Sequence, residues 1–281
     1  MNKIEKPEDN VRKVFSDCIS NFRDEIFKNK LINSIDDIVT YTIDYEEKML
    51  DKNIHNMTVH DELNDLSKDD LLKVYKDKMA KKGQPGRKYY DKYMSIPEYD
   101  ICPYCGQRVV STLDHYLPKS KYISLVVTPT NLIPACQDCN KAKSDKSIEN
   151  LDEATINPYF DDLGKDIWLT GEIIKSNDFI MTYKVSKPIN WSQELYKRVK
   201  NHFKLFNLNK LYSSHAAQEL VMVKRKMLRL YNNIGPEAVM KDLKENIDAY
   251  SYRLNSWQVA MYRELLNDSW FINDWLPNKG N

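Results

Sequence analysis

A chain of 281 residues, 42% hydrophobic and 30% charged, is long enough to bury a substantial core as one large or two modest domains. Its formal charge of +1 hides an acidic stretch at 1–72 and basic stretches at 73–93 and 197–229, so the near-neutral total does not exclude a polyanionic partner, which needs only a basic face. No apolar run approaches a membrane span, no secretory signal pattern opens the chain, and no G-x-x-x-x-G-K-[ST] marks a P-loop NTPase.

Taken in order, residues 8–30 place Val11, Val14, Phe15, Cys18, Ile19, Phe22, Ile26 and Phe27 at helical steps, which predicts one amphipathic helix with Cys18 in its core stripe. Residues 34–51 repeat the pattern. His55 and His60, in the weakly patterned stretch that follows, are expected to be surface or linker histidines. Ser67 and Asp70 have the spacing of a capping box, which opens a helix ending near Gly83. Residues 83–100 carry two glycines, two prolines and four tyrosines among basic residues. This connector either packs its tyrosines on the following module or touches phosphate through Arg87 and Lys88.

The most informative stretch is CPYCGQRVVSTLDHYLPKSKYISLVVTPTNLIPACQDCNKAK, residues 102–143. Cys102 and Cys105, then Cys136 and Cys139, form two C-x-x-C pairs, each able to present two sulfurs to one ion from a tight turn. Four sulfur ligands leave no open coordination position, so the expected zinc is structural. The insert between the pairs is longer than that of an ordinary zinc ribbon. VVSTLDHYL reads as a strand ending in Asp114-His115, YISLVVTP as its hairpin partner, and QDCNKAKSDKS as a helix with Asn140 and Lys143 on one face. A histidine base, hard oxygen ligands for a divalent ion and basic neighbours suit phosphodiester hydrolysis. His115 is expected to activate water, with Asp114 and Asn140 holding Mg²⁺ or Mn²⁺. Asn131 is expected to orient the imidazole by a hydrogen bond, and Lys143 or Lys119 to neutralise phosphate. Neighbours on a flat strand point to opposite faces, which suits a base and a metal on opposite sides of the phosphate.

This stretch resembles the HNH endonuclease family, whose ββα-metal site is often braced by a tetracysteine zinc. The matching residues are Asp114-His115, Asn131 and Asn140, framed by the four cysteines. The third signature position holds asparagine where the family's name has histidine. A looser likeness through INPYFDD and WSQELYKRVKNHFKLFNLNKLYSSHAAQEL extends to a bacterial subgroup often associated with defence or mobile elements. The resemblance implies a cytoplasmic, metal-dependent nuclease acting on DNA in anti-phage defence or restriction, possible homodimerisation for double-strand cuts, and a partner ATPase or sensor as trigger. RNA as the substrate, or a non-catalytic zinc-ribbon module that binds nucleic acid, are the alternatives. Zinc-type cysteine spacing also fits a reducing compartment.

Residues 166–188 alternate enough, around Gly171 and a Ser176-Asn177-Asp178 turn, to predict two or three antiparallel strands. Helices are expected at about 192–206, 209–233, 236–250 and 252–268, with Pro236 in a first turn. Phe203, Leu205, Phe206, Leu208 and Leu211 are expected to form the seam between the first two. Lys224, Arg225, Lys226 and Arg229 line one side of the second, and Lys224 and Arg225 are candidate nucleic-acid contacts. His202 and His215 read as structural. The expected architecture is α+β and mainly helical. It comprises an N-terminal helical region with its basic connector (1–95), a zinc-braced ββα-metal module (96–150), a small antiparallel β segment (151–190) and a C-terminal helical region (191–281).

Overall fold

The computed structural model describes residues 1–176 and 178–280. The described residues are mainly helical, with three two-stranded antiparallel sheets among them, and the chain divides into two compact units at residues 162 and 163. No helix among the described residues is long and apolar enough to cross a membrane.

In the first unit, α1 (Val11–Ile19) and α2 (Glu25–Asn33) replace the single helix expected over 8–30. The break falls where the Asp24 carboxylate accepts a hydrogen bond from Phe27 N at 3.0 Å, a local cap that competes with continuing the helix. The restart changes the face that α2 buries, so Ile26, placed on the apolar stripe by sequence, is 77% exposed. Next come α3 (Ile35–Leu50), the short hairpin β1 (Glu62–Leu63) and β2 (Leu66–Ser67), and α4 (Lys68–Lys73), which runs on as a π-helical segment, Val74–Ala80. The capping box at Ser67 and Asp70 is present on both sides: Ser67 Oγ accepts from Asp70 N, and Asp70 Oδ2 accepts from Ser67 N. After α5 (Arg87–Met94), strands β3 (Thr112–His115) and β4 (Leu132–Ala135) pair antiparallel, and α6 (Gln137–Lys143) completes a ββα module.

The β-branched YISLVVTP run is not the hairpin partner of β3. It forms two short 3₁₀ turns, Ile123–Leu125 and Pro129–Asn131, and β4 begins only after the second. Its apolar side chains serve burial: Ile123, Leu125, Val126 and Val127 have no exposed surface. Ile123, Val126 and Val127 share one core with Val14, Phe15, Cys18, Leu71, Val74 and Tyr93. A short apolar run buried on every side carries no periodicity that distinguishes strand from turn. The module therefore does not stand on its own core. The N-terminal helices form the wall against which its long loop folds, and Cys18 lies in that wall as expected.

In the second unit, β5 (Leu169–Ile174) and β6 (Ile180–Val185) form a hairpin, followed by α7 (Gln193–Leu205), α8 (Leu208–Asn233), α9 (Pro236–Ala249), α10 (Trp257–Asn267) and α11 (Leu276–Gly280). Asn177, in the turn expected between the strands, lies outside the described residues. Gly171 sits within β5, where an added Cβ would meet the Ala260 carbonyl oxygen at 2.8 Å, so its lack of a side chain lets α10 lie close on the hairpin. The last long helix starts later than 252 because Ser256 caps it, accepting from Val259 N at 3.2 Å. Of the expected seam, Phe203, Phe206 and Leu208 are buried, whereas Leu205 and Leu211 are only partly so. His202 packs on Phe206 at 4.5 Å, and His215 stacks on Trp257 at 6.0 Å.

Candidate active site and metal centre

The four cysteines come together. One ligand sulfur from each of Cys102, Cys105, Cys136 and Cys139 lies within 4.8 Å of the others, and all four residues are buried. Sulfurs about 2.3 Å from a tetrahedral ion stand roughly 3.8 Å apart, so the cluster is of the right size for one. Backbone amides support it: Arg108 N donates to Cys105 Sγ and Cys139 N to Cys136 Sγ, each at 3.4 Å. Gly106 closes the first turn at φ 64°, donating its N–H to the Cys102 carbonyl at 2.8 Å. Hydrogen bonding among the sulfurs pushes the Cys105 and Cys136 thiols down and those of Cys102 and Cys139 up, as expected of one tightly interacting cluster. Four soft thiolates in this arrangement are the donor set of a closed, structural zinc site. Arg108 pairs with Asp138 of α6 at 2.9 Å, a further link between the two turns.

Asp114 and His115 end β3, paired with Ile133 and Leu132. Both are buried, at 4% and 5% exposure. Asp114 Oδ2 accepts from the Tyr104 hydroxyl at 2.9 Å and forms an ion pair with Lys143 Nζ at 3.2 Å. Among the described residues Oδ1 accepts no hydrogen bond. Burial pushes the carboxyl pKa up, and the Lys143 charge and the Tyr104 hydroxyl oppose it.

His115 Nε2 lies 2.9 Å from the Val126 carbonyl oxygen. A carbonyl can only accept, so Nε2 carries the proton and Nδ1 the free lone pair. The edge of the ring meets Tyr75 at 4.5 Å, in a T-shaped contact. Burial, reinforced by the Lys119 charge, pushes the imidazole pKa down to about 3, so the ring is held neutral at neutral pH.

Asn131 does not orient this ring. Its side chain is fully buried, accepting from Leu117 N at 2.8 Å and donating to the Leu117 and Leu125 carbonyls at 3.2 Å each. It closes the loop that carries Val126, and Val126 holds the imidazole. Asn131 therefore positions the imidazole through the backbone. Asn131→Ala leaves buried backbone groups unpaired and is expected to lower stability by about 2–4 kcal/mol while reducing cleavage. Urea denaturation checks the first effect.

His60 is not a linker histidine. Its ring stacks on Tyr41 at 4.3 Å, Nδ1 donates to the Thr58 carbonyl, and Nε2 accepts from Ser124 N at 3.3 Å. It pins the same loop at Ser124. Sequence reasoning also missed Tyr75 and Tyr104. Tyr104 stands inside the first C-x-x-C turn, and that placement was the one available sign that it would face the site.

The expected phosphate contacts fare unevenly. Lys143 is buried on Asp114 and also donates to the His115 carbonyl at 2.6 Å. Arg87 is held by Asp91 at 2.8 Å and by the Ala80 carbonyl, and stacks on Tyr90. Lys88 pairs with Asp17 at 2.7 Å. Lys224 pairs with Asp178 and lies 4.1 Å over the Phe179 ring, so it stitches the second unit rather than lining an open face. Arg225 is exposed and has no ion pair among the described residues. Lys119 stays beside the site, half-buried, 4.8 Å over the Tyr75 ring. Asn140 is partly exposed and lies three residues before Lys143 on α6, at the spacing of one helical turn. Asp114 Oδ1 and the Asn140 side-chain oxygen are hard donors suited to a small divalent cation.

Comparison with known proteins places these features in context. The HNH endonuclease family matches residues 102–146. Protein ea31 of Escherichia phage lambda is 31% identical over 227 residues, covering 74% of this chain and 75% of ea31. The Septu protein PtuB of Bacillus thuringiensis is 33% identical over 82 residues, or 27% of this chain and 31% of PtuB, so this likeness spans less than a third of either. No solved structure matches.

Proposed function

Because this chain belongs to the family of phage lambda protein ea31 and carries an HNH endonuclease domain at residues 102–146, we propose that it hydrolyses phosphodiester bonds in DNA with Mg²⁺ or Mn²⁺. The observation that carries this reading is the fixed tautomer of His115, whose Nε2–H is spent on the Val126 carbonyl so that Nδ1 is left as the proton acceptor. In this mechanism Nδ1 takes the proton from the water that attacks phosphorus. Asp114 and Asn140 are the residues that would hold a divalent ion, and such an ion would supply stabilisation of negative charge on the phosphate and the leaving oxygen. Lys119, at the rim, steadies the phosphate. Val126, with Asn131 and His60 bracing its loop, keeps the imidazole from turning.

A single site of this kind cuts one strand, so a double-strand break calls for a homodimer or two visits. A role in anti-phage defence or restriction is supported by the likeness to a phage-encoded protein and to the Septu protein. An ATPase or sensor partner would supply the trigger, and the thiolate cluster favours a reducing, cytoplasmic setting. Incubating the protein with labelled DNA and RNA of matched sequence, single- and double-stranded, in Mn²⁺ tests the substrate class. Cleavage of DNA is expected; cleavage of RNA alone would overturn the DNA assignment.

A further inference from the structure

Lys143 is a buried lysine, held inside the fold rather than on its surface. Its side chain is 9% exposed, and its ammonium group lies 3.2 Å from Asp114 Oδ2, 2.6 Å from the His115 carbonyl oxygen and 5.8 Å over the Tyr116 ring. Tyr104 donates to the same Oδ2 at 2.9 Å. The buried carboxylate is thus neutralised and hydrogen-bonded by the chain itself, through one oxygen, with the other left open. Buried charges usually need such a partner. The partner here is a cation, fixed beside the group read as a metal ligand.

Resting on that reading of Asp114, we propose that Lys143 is a resident counter-cation that disfavours a divalent ion in the nucleic-acid-free protein, so that metal loading is coupled to the arrival of substrate phosphate. The physical reason is charge balance. A dication on Oδ1 would sit a few ångströms from a buried ammonium that cannot swing away without leaving the His115 carbonyl unpaired, and repulsion between like charges is strong where water is excluded. A phosphate brings the negative charge that offsets both cations at once. Lys143 is then a positioning residue. It holds the ends of β3 and α6 together and sets the order in which metal and nucleic acid enter.

The test is Mn²⁺ binding to the zinc-loaded protein, followed by the loss of the free-ion electron paramagnetic resonance signal, with and without a phosphorothioate duplex that resists cleavage. Wild-type protein is expected to bind Mn²⁺ at least tenfold more tightly with the duplex than alone. Lys143→Gln keeps a donor for the His115 carbonyl but removes the charge, and it is expected to bind Mn²⁺ at least tenfold more tightly than wild type without nucleic acid. Adding Asp114→Asn to that variant should erase the gain. Equal or weaker Mn²⁺ binding by folded Lys143→Gln would overturn the proposal. Should that variant not fold, Mn²⁺ binding by wild type as tight alone as with the duplex overturns it equally. Either result alongside Mn²⁺-dependent nicking by wild type leaves the nuclease reading standing. Absence of both nicking and any Mn²⁺ binding on the duplex would sink that reading and this inference with it.

Discussion

Replacing His115 with glutamine is expected to lower phosphodiester cleavage by about 10³-fold, within the range for loss of a general base, while zinc content and helical signal stay at wild-type levels. Glutamine can still donate to the Val126 carbonyl that Nε2 now satisfies at 2.9 Å, so the loop keeps its anchor. It offers no lone pair able to take a proton at Nδ1. His115→Ala should lose as much activity and also some stability, because it leaves the Val126 carbonyl unpaired. The same burial has a pH signature. With the folded pKa pushed down to about 3 and an unfolded value near 6.5, the unfolded chain takes up the proton first as pH falls. This residue therefore withdraws stability progressively between about pH 6.5 and pH 3. His115→Gln should lose less stability than wild type between pH 7 and pH 5, as read by urea denaturation at each pH.

Cys136→Ser is expected to be the most damaging single change to the fold. Zinc should fall from stoichiometric to near zero, because a hydroxyl is a poor substitute for one of four clustered thiolates. Structural zinc in small modules contributes on the order of 10 kcal/mol of apparent binding free energy. Cys136 also caps α6, its sulfur accepting from Cys139 N at 3.4 Å, so the helix bearing Asn140 and Lys143 loses its start and its metal tether together. Because Ile123, Val126 and Val127 of the module share a core with α1 and α4, the loss should spread through the first unit. Metal analysis and thermal melting check both effects. A chelator strong enough to strip zinc should reproduce them in wild type.

The parts of this site that the sequence revealed are those whose chemistry is local. Paired C-x-x-C turns require neighbours only two residues apart, and the Ser67–Asp70 capping box and the helical period of α7 to α9 are likewise short-range. What depends on long-range packing was not legible. The 122–129 run looks like a strand until the N-terminal helices that bury it are known. Asn131 stands close to His115 across the hairpin but spends all its hydrogen bonds on the Leu117 and Leu125 backbone. His60 meets Ser124 from 64 residues away, a distance that no motif spans. Lysines misled most. Lys143, Lys88 and Lys224 share a basic signature in sequence, yet each faces a specific carboxylate, Asp114, Asp17 and Asp178 respectively. A charge count cannot separate a cation aimed at solvent from one consumed inside the fold.

The most direct measurement is the conversion of supercoiled plasmid by the zinc-loaded wild-type protein, with Mg²⁺ or Mn²⁺ and in their absence. Open-circular product that forms only with the divalent ion is the predicted result. A plasmid left intact under every metal condition, by protein shown to be folded, zinc-loaded and bound to that DNA, would contradict the assignment of Asp114, His115 and Asn140 to phosphodiester hydrolysis and leave a zinc-braced module that binds nucleic acid without cutting it.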